Sequence, residues 1–247
     1  MPHWEPLGNG VEVLVSKQHR FGTDTVLLAD FAAPRACDQA VELGAGCGAI
    51  PLLWCRDRAP AHITAVELQP EACSLLCRSV ARNGLGATID VVQADLRALS
   101  GVLPAGSFQL AVCNPPYKPA GTGIVNPDPS RRLARHEEEC TLAEVVAAAA
   151  RLLQFGGRFC LCQRPERLCD VLEAFRGAGL EPKRLRFVQQ RLSKAPKLFL
   201  IEGRRGGKPG GLVTLPTLFL EDTNGSSSEE MEQIYGSYRG NNRCAEP

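Results

Sequence analysis

Short apolar runs alternate with stretches of helical periodicity along most of the chain. Apolar runs that fit buried strands lie at residues 40–43, 63–66, 89–92, 108–113 and 158–162. Helical patterns begin near Ala49, Pro70, Thr141 and Leu168. Because strands that alternate with helices form a parallel sheet covered by helices on both faces, the pattern predicts an α/β fold.

Toward the C-terminal end of the chain, the strand and helix patterns no longer alternate throughout. The helix predicted from Thr141 has a capping box with Glu144, and Gly156-Gly157 mark its expected end. Two later strand patterns, at 184–188 and 197–201, come one after the other without a helix between them. They predict an antiparallel hairpin at the end of a mostly parallel sheet.

The composition is that of an ordinary globular protein. The chain has 247 residues, of which 44% are hydrophobic and 22% charged, enough for one substantial domain. We expect a lead-in at 1–35, a core at 36–203 and an extension with a flexible end at 204–247. No apolar run approaches the roughly 20 residues of a membrane span, and the first residues lack a secretory pattern. A cytoplasmic protein is therefore expected, with a monomer as the favoured state.

Eleven cysteines raise the question of disulfides or a metal site. They are scattered, odd in number and include no C-x-x-C pair, and several lie in apolar segments such as Phe159-Cys160-Leu161-Cys162. A free thiol packs in such a segment as a small hydrophobic group. The pattern favours reduced core cysteines and predicts no metal site.

Three alternate glycines, Gly44, Gly46 and Gly48, follow the first strand pattern. Without side chains, this loop lets the backbone approach a ligand at the carboxyl end of the sheet. A tight turn without a ligand is the alternative. Glu67 disfavours it, because a carboxylate at the end of the next strand accepts hydrogen bonds from a ribose diol. A dinucleotide site calls for G-x-G-x-x-G, whereas G-x-G-x-G preceded by Glu42 suits a cofactor with an amino-acid moiety and no phosphate.

Asp95 ends the third strand pattern in the sequence Gln93-Ala94-Asp95-Leu96. Aspartate is a frequent helix N-cap. It is also able to accept a hydrogen bond from the amino group of an adenine. Because a cap residue at the sheet edge still faces the crevice, both interpretations remain open.

The fourth strand pattern ends in Asn114-Pro115-Pro116-Tyr117. The prolines stiffen the loop, so that the Asn114 amide oxygen and the Pro115 carbonyl are able to accept from one planar amine. Two fixed acceptors polarise the amine nitrogen and make it a better nucleophile toward a methyl sulfonium. Tyr117 is expected to stack on the ring that carries the amine. Alone, the tetrapeptide is a rigid turn. Its position after two acids at strand ends predicts a catalytic loop that holds an exocyclic amine.

The order of these motifs resembles the class I amino-methyltransferases that carry N-P-P-Y. Segment 21–29 is similar to the F-x-x-D-x-x-L-L-A lead-in of the bacterial tRNA1(Val) adenine-37 N6-methyltransferases. Arg135-His136-Glu137 is similar to the R-H-E stretch of that family, and segments 202–210 and 234–236 resemble its C-terminal signature. The resemblance covers about residues 8–236.

The resemblance implies a Rossmann-like fold with a seven-stranded, mostly parallel sheet in the order 3-2-1-4-5-7-6. It implies S-adenosyl-L-methionine as cofactor and an RNA substrate, tRNA. The residues expected to bind the cofactor are then Phe21, Thr23, Asp24, Glu42, Gly44, Gly46, Gly48, Glu67, Leu68, Asp95, Leu96 and Asn114. The formal net charge is only +1, so RNA must meet local patches. The residues expected there are Arg131, Arg132, Arg135 and Lys208.

Local structural roles compete with some of these assignments. Asp24 together with Thr23 also fits a helix N-cap, and Phe21 fits a core residue. In the family interpretation this segment lies over the cofactor. His136 is expected to be structural, because the amine mechanism needs no base.

Several other functions fit part of the pattern. Release-factor methyltransferases methylate a glutamine amide with the same tetrapeptide, but they carry a larger helical domain before the glycine loop. Guanine-N2 methylation of RNA is a third possibility. A non-catalytic RNA-binding member of the fold is a fourth, and it has no need of the glycine loop, Glu67 and Asn114 together. Adenine-N6 methylation of RNA is the leading hypothesis.

Overall fold

A computed structural model describes residues 1–115 and 140–236. An antiparallel hairpin opens the chain, formed by β1 (His3–Gly8) and β2 (Val11–Val15). Its turn contains Asn9-Gly10, both with positive φ, a pair that favours tight hairpin turns. Helix α1 (Thr23–Ala32) follows and leads into the main sheet.

Strands and helices then alternate, as the sequence predicted. The elements are β3 (Gln39–Leu43), α2 (Ala49–Asp57), β4 (His62–Glu67), α3 (Pro70–Arg82), β5 (Ile89–Gln93), a 3₁₀ turn (Leu96–Ala98), β6 (Phe108–Cys113), α4 (Leu142–Leu152), β7 (Leu153–Gln163), a 3₁₀ turn (Pro165–Arg167) and α5 (Leu168–Gly177). The last described part contains β8 (Leu180–Gln189), β9 (Pro196–Arg205), the short strands β10 (Val213–Thr214) and β11 (Leu218–Phe219), and α6 (Glu229–Tyr235).

The main sheet has nine strands within the described residues. Their order is β10-β8-β9-β7-β6-β3-β4-β5, with β11 also paired to β8. Strand β9 is antiparallel to both of its neighbours, and all other pairs are parallel. The sheet exceeds the expected seven strands by β10 and β11, because strands of two residues leave no periodicity in a sequence.

Helices bury the sheet from both sides. One hydrophobic core joins the sheet to the first hairpin and to α1, α2, α3 and α6, and includes Leu28, Trp54 and Tyr235. The other core joins it to α4 and α5, and includes Val146 and Phe175. Among the described residues, no helix has both the length and the apolar character that crossing a bilayer requires.

Helix α4 begins as predicted but ends earlier. The capping box is confirmed: the Thr141 hydroxyl accepts from the Glu144 backbone N–H, and the Glu144 carboxylate accepts from that of Thr141. Gly156-Gly157 do not end the helix, because β7 has already started at Leu153. A Cβ on Gly157 would lie 3.0 Å from the carbonyl oxygen of Phe108, so this glycine permits a close approach of β6 and β7 instead.

Candidate active site

A cleft of about 700 Å³ opens at the carboxyl ends of β3, β4, β5 and β6. Crevices at this edge of an open α/β sheet are the usual ligand sites of such folds. The predicted site residues that line it are Gly44, Glu67, Leu68, Asp95, Leu96, Asn114 and Pro115. A smaller cavity of about 190 Å³ lies between α1 and α2 and contains none of the predicted site residues. The larger cleft is therefore the candidate active site.

The first two glycines of the loop face open space. Gly44 and Gly46 have φ values of 75° and 56°, and a Cβ built on either would meet no atom within 4 Å. The Gly44 and Ala45 backbone N–H groups donate to the Val66 carbonyl at 2.9 Å, which holds the loop against β4. The backbone is thus fixed in place and leaves room for a ligand beside it.

Gly48 has a different role. Its φ is 84°, and a Cβ there would lie 2.0 Å from the Cδ1 atom of Leu76, which is fully buried in α3. Gly48 therefore allows the start of α2 to pack closely on α3. It does not line the cleft.

Replacing Gly48 with alanine is expected to lower the free energy of unfolding by about 2–4 kcal/mol, since overpacking and a left-handed backbone both carry a cost. Urea unfolding measures the change. Gly177→Ala is the matched control, because a Cβ at Gly177 meets no atom within 4 Å. The control should change stability by at most about 1 kcal/mol. Equal stability of the two variants would contradict the packing role of Gly48.

Glu67 connects the glycine loop to the loop after β4. The carboxylate is buried, and its Oε2 atom accepts from the Gly46 backbone N–H at 2.7 Å. Its Oε1 atom accepts from the Gln69 N–H at 2.8 Å. Because each carboxylate oxygen is able to accept more than one hydrogen bond, these contacts orient the group and leave acceptor capacity toward the cleft.

Glu42 lies behind the glycine loop in a position that the fold itself does not satisfy. The residue is only 3% exposed, and its Oε2 atom has no hydrogen-bond partner among the described residues. Burial, with a smaller effect of nearby Glu67, raises the pKa of Glu42 well above its ordinary value. An orphaned buried carboxyl group is costly, and a cationic donor from a ligand would remove that cost.

Glu42→Gln is expected to make the fold more stable at neutral pH than the unmodified chain. The folded state of the unmodified chain keeps a proton on Glu42 that the unfolded state releases, so its free energy of unfolding falls as pH rises from about 4.5 through the raised pKa. Glutamine does not titrate, and the variant lacks this part of the fall. Urea unfolding at several pH values from about 5 to 8 tests the expectation. A variant that is less stable throughout this range would disprove it.

Asp95 follows β5 and caps the short 3₁₀ turn after it. Its side chain accepts from the Arg97 backbone N–H at 2.8 Å, which confirms the N-cap interpretation. The Arg97 guanidinium also binds both carboxylate oxygens at 2.6–3.0 Å, and these hydrogen bonds hold the pKa of Asp95 below its ordinary value. Asp95 therefore reaches the cleft as an ionised acceptor.

Asn114 follows β6, and residues of α1 orient its amide. The Nδ2 atom donates to the Asp24 carboxylate at 3.0 Å and to the Thr25 hydroxyl at 3.1 Å. A carboxylate is only an acceptor, so it selects the NH₂ side of the amide. The Asn114 oxygen consequently lies on the side away from Asp24 and Thr25.

The residues of the cleft all lie within a segment that matches a known protein family. Residues 13–176, which contain the glycine loop, Glu67, Asp95 and Asn114, match the model of the methyltransferase small domain. The chain belongs to this methyltransferase family.

This methyltransferase is similar to several known proteins in sequence and to others in fold. It is 29% identical to the tRNA1(Val) (adenine(37)-N6)-methyltransferase of Parabacteroides distasonis, over 74% of this chain and 76% of the relative. A predicted O-methyltransferase from Agrobacterium tumefaciens has a crystal structure that superposes with a TM-score of 0.68 at 20% identity, over 87% of this chain and 97% of that one.

A geranyl diphosphate C-methyltransferase from Streptomyces coelicolor, solved with S-adenosyl-L-homocysteine, has a TM-score of 0.52 at 12% identity, over 73% and 77% of the two chains. These two solved structures confirm the class I methyltransferase fold.

The lead-in of the methyltransferase contacts the site through α1. Gly22, and not Asp24 or Thr23, is the N-cap residue of this helix, so the alternative interpretation of Asp24 and Thr23 as a local cap is wrong. The Thr23 hydroxyl instead accepts from the hydroxyl of Tyr235 in α6 at 3.0 Å, and Phe21 packs half-buried against the core. Of the three lead-in residues expected over the cofactor, Asp24 contacts the catalytic loop and none lines the cleft.

The structure does not bring Lys208 to the cleft. Strand β9 runs antiparallel to β7, so its end at Arg205 lies at the amino ends of the parallel strands. At about 3.3 Å per residue, the ten residues of β9 separate the two edges of the sheet by about 30 Å. The remaining predicted residues lie outside the described part of the chain: Pro116, Tyr117, Arg131, Arg132, Arg135 and His136.

Several residues of the site carry no signal in the sequence that marked them as site residues. Arg97 and Gln69 each lie two positions after a predicted acid, a spacing that signals backbone contact with that acid. Thr25 was within the lead-in motif, yet only the fold brings it to Asn114. Val145 enters the cleft from α4, and no local pattern marks it.

The cysteines of the described residues are all free thiols. Buried ones are Cys47, Cys73, Cys113, Cys160 and Cys162. Cys140 lines the cleft, and burial raises the pKa of its thiol to about 12, so it is not a thiolate there. Within 1–115 and 140–236, no group of three or more His, Cys, Asp or Glu side chains is placed to hold a metal ion.

Proposed function

We propose that this methyltransferase transfers a methyl group from S-adenosyl-L-methionine to the N6 amine of an adenine in tRNA. The orientation of the Asn114 amide carries the proposal, because Asp24 and Thr25 fix its donor side and turn its oxygen away from them. The relative from Parabacteroides distasonis, named for this reaction, supports the choice of amine. The protein would act in the cytoplasm, where tRNA is found.

The residues that line the cleft, together with Gly46 and Glu42 beside it, fit the cofactor. Glu67 would accept hydrogen bonds from the ribose hydroxyls of the cofactor. Gly44 and Gly46 have no side chains and let the protein backbone approach the cofactor closely. The buried Glu42 carboxyl, with its unpartnered Oε2 atom, suits a cationic amino group. Asp95 would accept a hydrogen bond from the adenine amino group of the cofactor, beside Leu68 and Leu96. When bound, the cofactor supplies a methyl group on a positively charged sulfur.

The catalytic loop would act by holding the target amine. The Asn114 amide oxygen and the Pro115 carbonyl would each accept one hydrogen of the planar NH₂ group, which raises electron density on the nitrogen. A fixed acceptor of this kind contributes about 2.7–4 kcal/mol to the transition state. We propose Pro116 and Tyr117 as the rest of the loop, with Tyr117 stacked on the base, and Arg131, Arg132 and Arg135 as phosphate contacts.

Methyl transfer from tritiated cofactor to bulk tRNA and to bulk protein tests the proposal. Digestion of the RNA to nucleosides should place the label in N6-methyladenosine. Label in N2-methylguanosine would indicate an RNA methyltransferase that acts on guanine and not on adenine. Label in glutamine would indicate a protein substrate and not RNA. Calorimetry with S-adenosyl-L-methionine should show binding without RNA. Its absence, with no label in any polymer, would refute the catalytic assignment.

A further inference from the structure

The turn between β8 and β9 lies at the same edge of the sheet as the active-site cleft. Strand β7 ends at Gln163, which pairs with Phe199 near the start of β9, and Val188 near the end of β8 pairs with Leu198. Neighbouring strands are about 4.8 Å apart, so β9 lies about 10 Å from β6, the strand that ends at Asn114. We call residues 189–197 the β8–β9 tip.

Three exposed cations are concentrated on the β8–β9 tip: Arg191, Lys194 and Lys197. Lys197 donates to the Gln190 side-chain oxygen at 3.1 Å. Arg191 is 3.7 Å from Glu221, and such exposed pairs contribute little, so the cation is readily redirected to a phosphate. On a chain with a net charge of only +1, the tip is a local positive surface.

The backbone of the tip is held in one shape. The side-chain amide of Gln189 donates to the Arg191 carbonyl at 3.3 Å, to the Leu192 carbonyl at 3.2 Å and also to the Lys194 carbonyl. One side chain thus contacts three backbone carbonyls of the turn, those of Arg191, Leu192 and Lys194. A binding element that is ordered in advance loses less entropy when it binds.

Acidic residues near the β8–β9 tip pair with some of the neighbouring cations and so restrict the extent of the positive surface. Arg167, the last residue of the 3₁₀ turn after β7, is paired with Asp170 at 2.5 Å, and Glu166 beside it is exposed. The 3₁₀ turn after β7 therefore carries charges of both signs, although it lies at the same edge of the sheet as the β8–β9 tip. Within the β8–β9 tip, Lys194 and Lys197 have no acidic partner at salt-bridge distance among the described residues, whereas Arg191 has Glu221.

We propose that the β8–β9 tip binds the phosphates of the RNA strand that flanks the target adenine, through Lys194 and Lys197. A base held at Asn114 brings its neighbouring phosphates to this edge of the sheet, and lysine contacts to phosphate are independent of sequence. The inference rests on the proposed function, because it requires an RNA substrate.

The test compares two charge-matched double variants of the full chain. Lys194→Gln with Lys197→Gln is expected to raise KM for tRNA by about tenfold and to reduce the slope of log affinity against log salt by about one to two. Cofactor affinity and kcat at saturating tRNA should not change. Arg35→Gln with Arg204→Gln removes two exposed cations at the opposite edge and should leave KM for tRNA unchanged.

The possible results separate this inference from the proposed function. If the unmodified enzyme labels adenine N6 in tRNA and both double variants behave alike, the tip is not the contact surface. If it labels protein and neither binds nor labels RNA, the proposed function fails and the inference with it. A fall in the melting temperature of the tip variant that is large enough to account for its loss of activity would also overturn the inference, since it would indicate misfolding.

Discussion

Replacing Asn114 with alanine is expected to lower kcat by about 10²–10³-fold while cofactor affinity changes by less than about threefold. The amide oxygen is one of the two acceptors proposed for the target amine, so its loss acts on the transition state. The cofactor contacts proposed for Glu67 and Asp95 remain in place. Single-turnover methyl transfer gives the first quantity and calorimetry with S-adenosyl-L-methionine the second.

Asn224→Ala is the matched control for this variant, because Asn224 lies on an exposed turn near α6. Asp24→Ala provides a further arm: it removes the acceptor that selects the NH₂ side of Asn114 and should lower kcat by about tenfold through that residue. Adding it to Asn114→Ala should cause little further loss, because both changes act on one interaction. Equal losses of kcat and cofactor affinity in Asn114→Ala would show that the loop is misassigned.

Replacing Glu67 with alanine is expected to produce the opposite result. The dissociation constant for S-adenosyl-L-methionine should rise about 100-fold, since charge-assisted hydrogen bonds contribute about 1.5–3 kcal/mol each. The Gly46 N–H also loses its acceptor, which loosens the glycine loop. At saturating cofactor, kcat should stay within about threefold of the unmodified enzyme, because Glu67 is not placed on the amine.

Glu173→Ala is the control, an exposed acid on α5 that is remote from the cleft. It should bind the cofactor as tightly as the unmodified chain. Glu67→Gln keeps one side-chain oxygen as acceptor, and we expect an intermediate dissociation constant. If Glu67→Ala lowered kcat at saturating cofactor as strongly as Asn114→Ala does, binding and catalysis would not be divided between these residues as proposed.

The lead-in and the C-terminal helix contribute to the catalytic loop as a connected support. Tyr235 of α6 bonds Thr23 at the start of α1, and the next residues of α1, Asp24 and Thr25, orient Asn114. This places the start of α1 and the end of α6 behind one amide group. It explains why a resemblance at residues 21–29 and at 234–236 accompanies the catalytic tetrapeptide although neither segment lines the cleft.

The sequence alone determined the features that depend on neighbouring residues. Apolar runs located the strands, the capping box located α4, and glycines and acids directly after strands indicated a cofactor site with an amine-holding loop. These signals are local, because strand and helix periodicity and capping depend on residues within a few positions. Where a glycine has two possible uses, as at Gly156-Gly157, a local pattern does not distinguish a helix end from a close strand contact.

Tertiary structure decided which of these features meet. Asn114 and Asp24 are 90 positions apart, and only the packing of α1 beside β6 makes them partners. Lys208 and Lys194 look alike in the sequence, but the direction of β9 puts them at opposite edges of the sheet. Burial likewise leaves the Glu42 Oε2 atom without a hydrogen-bond partner among residues 1–115 and 140–236. Contacts between distant residues depend on strand order and register, and these follow from the burial of the whole sheet, which no local segment encodes.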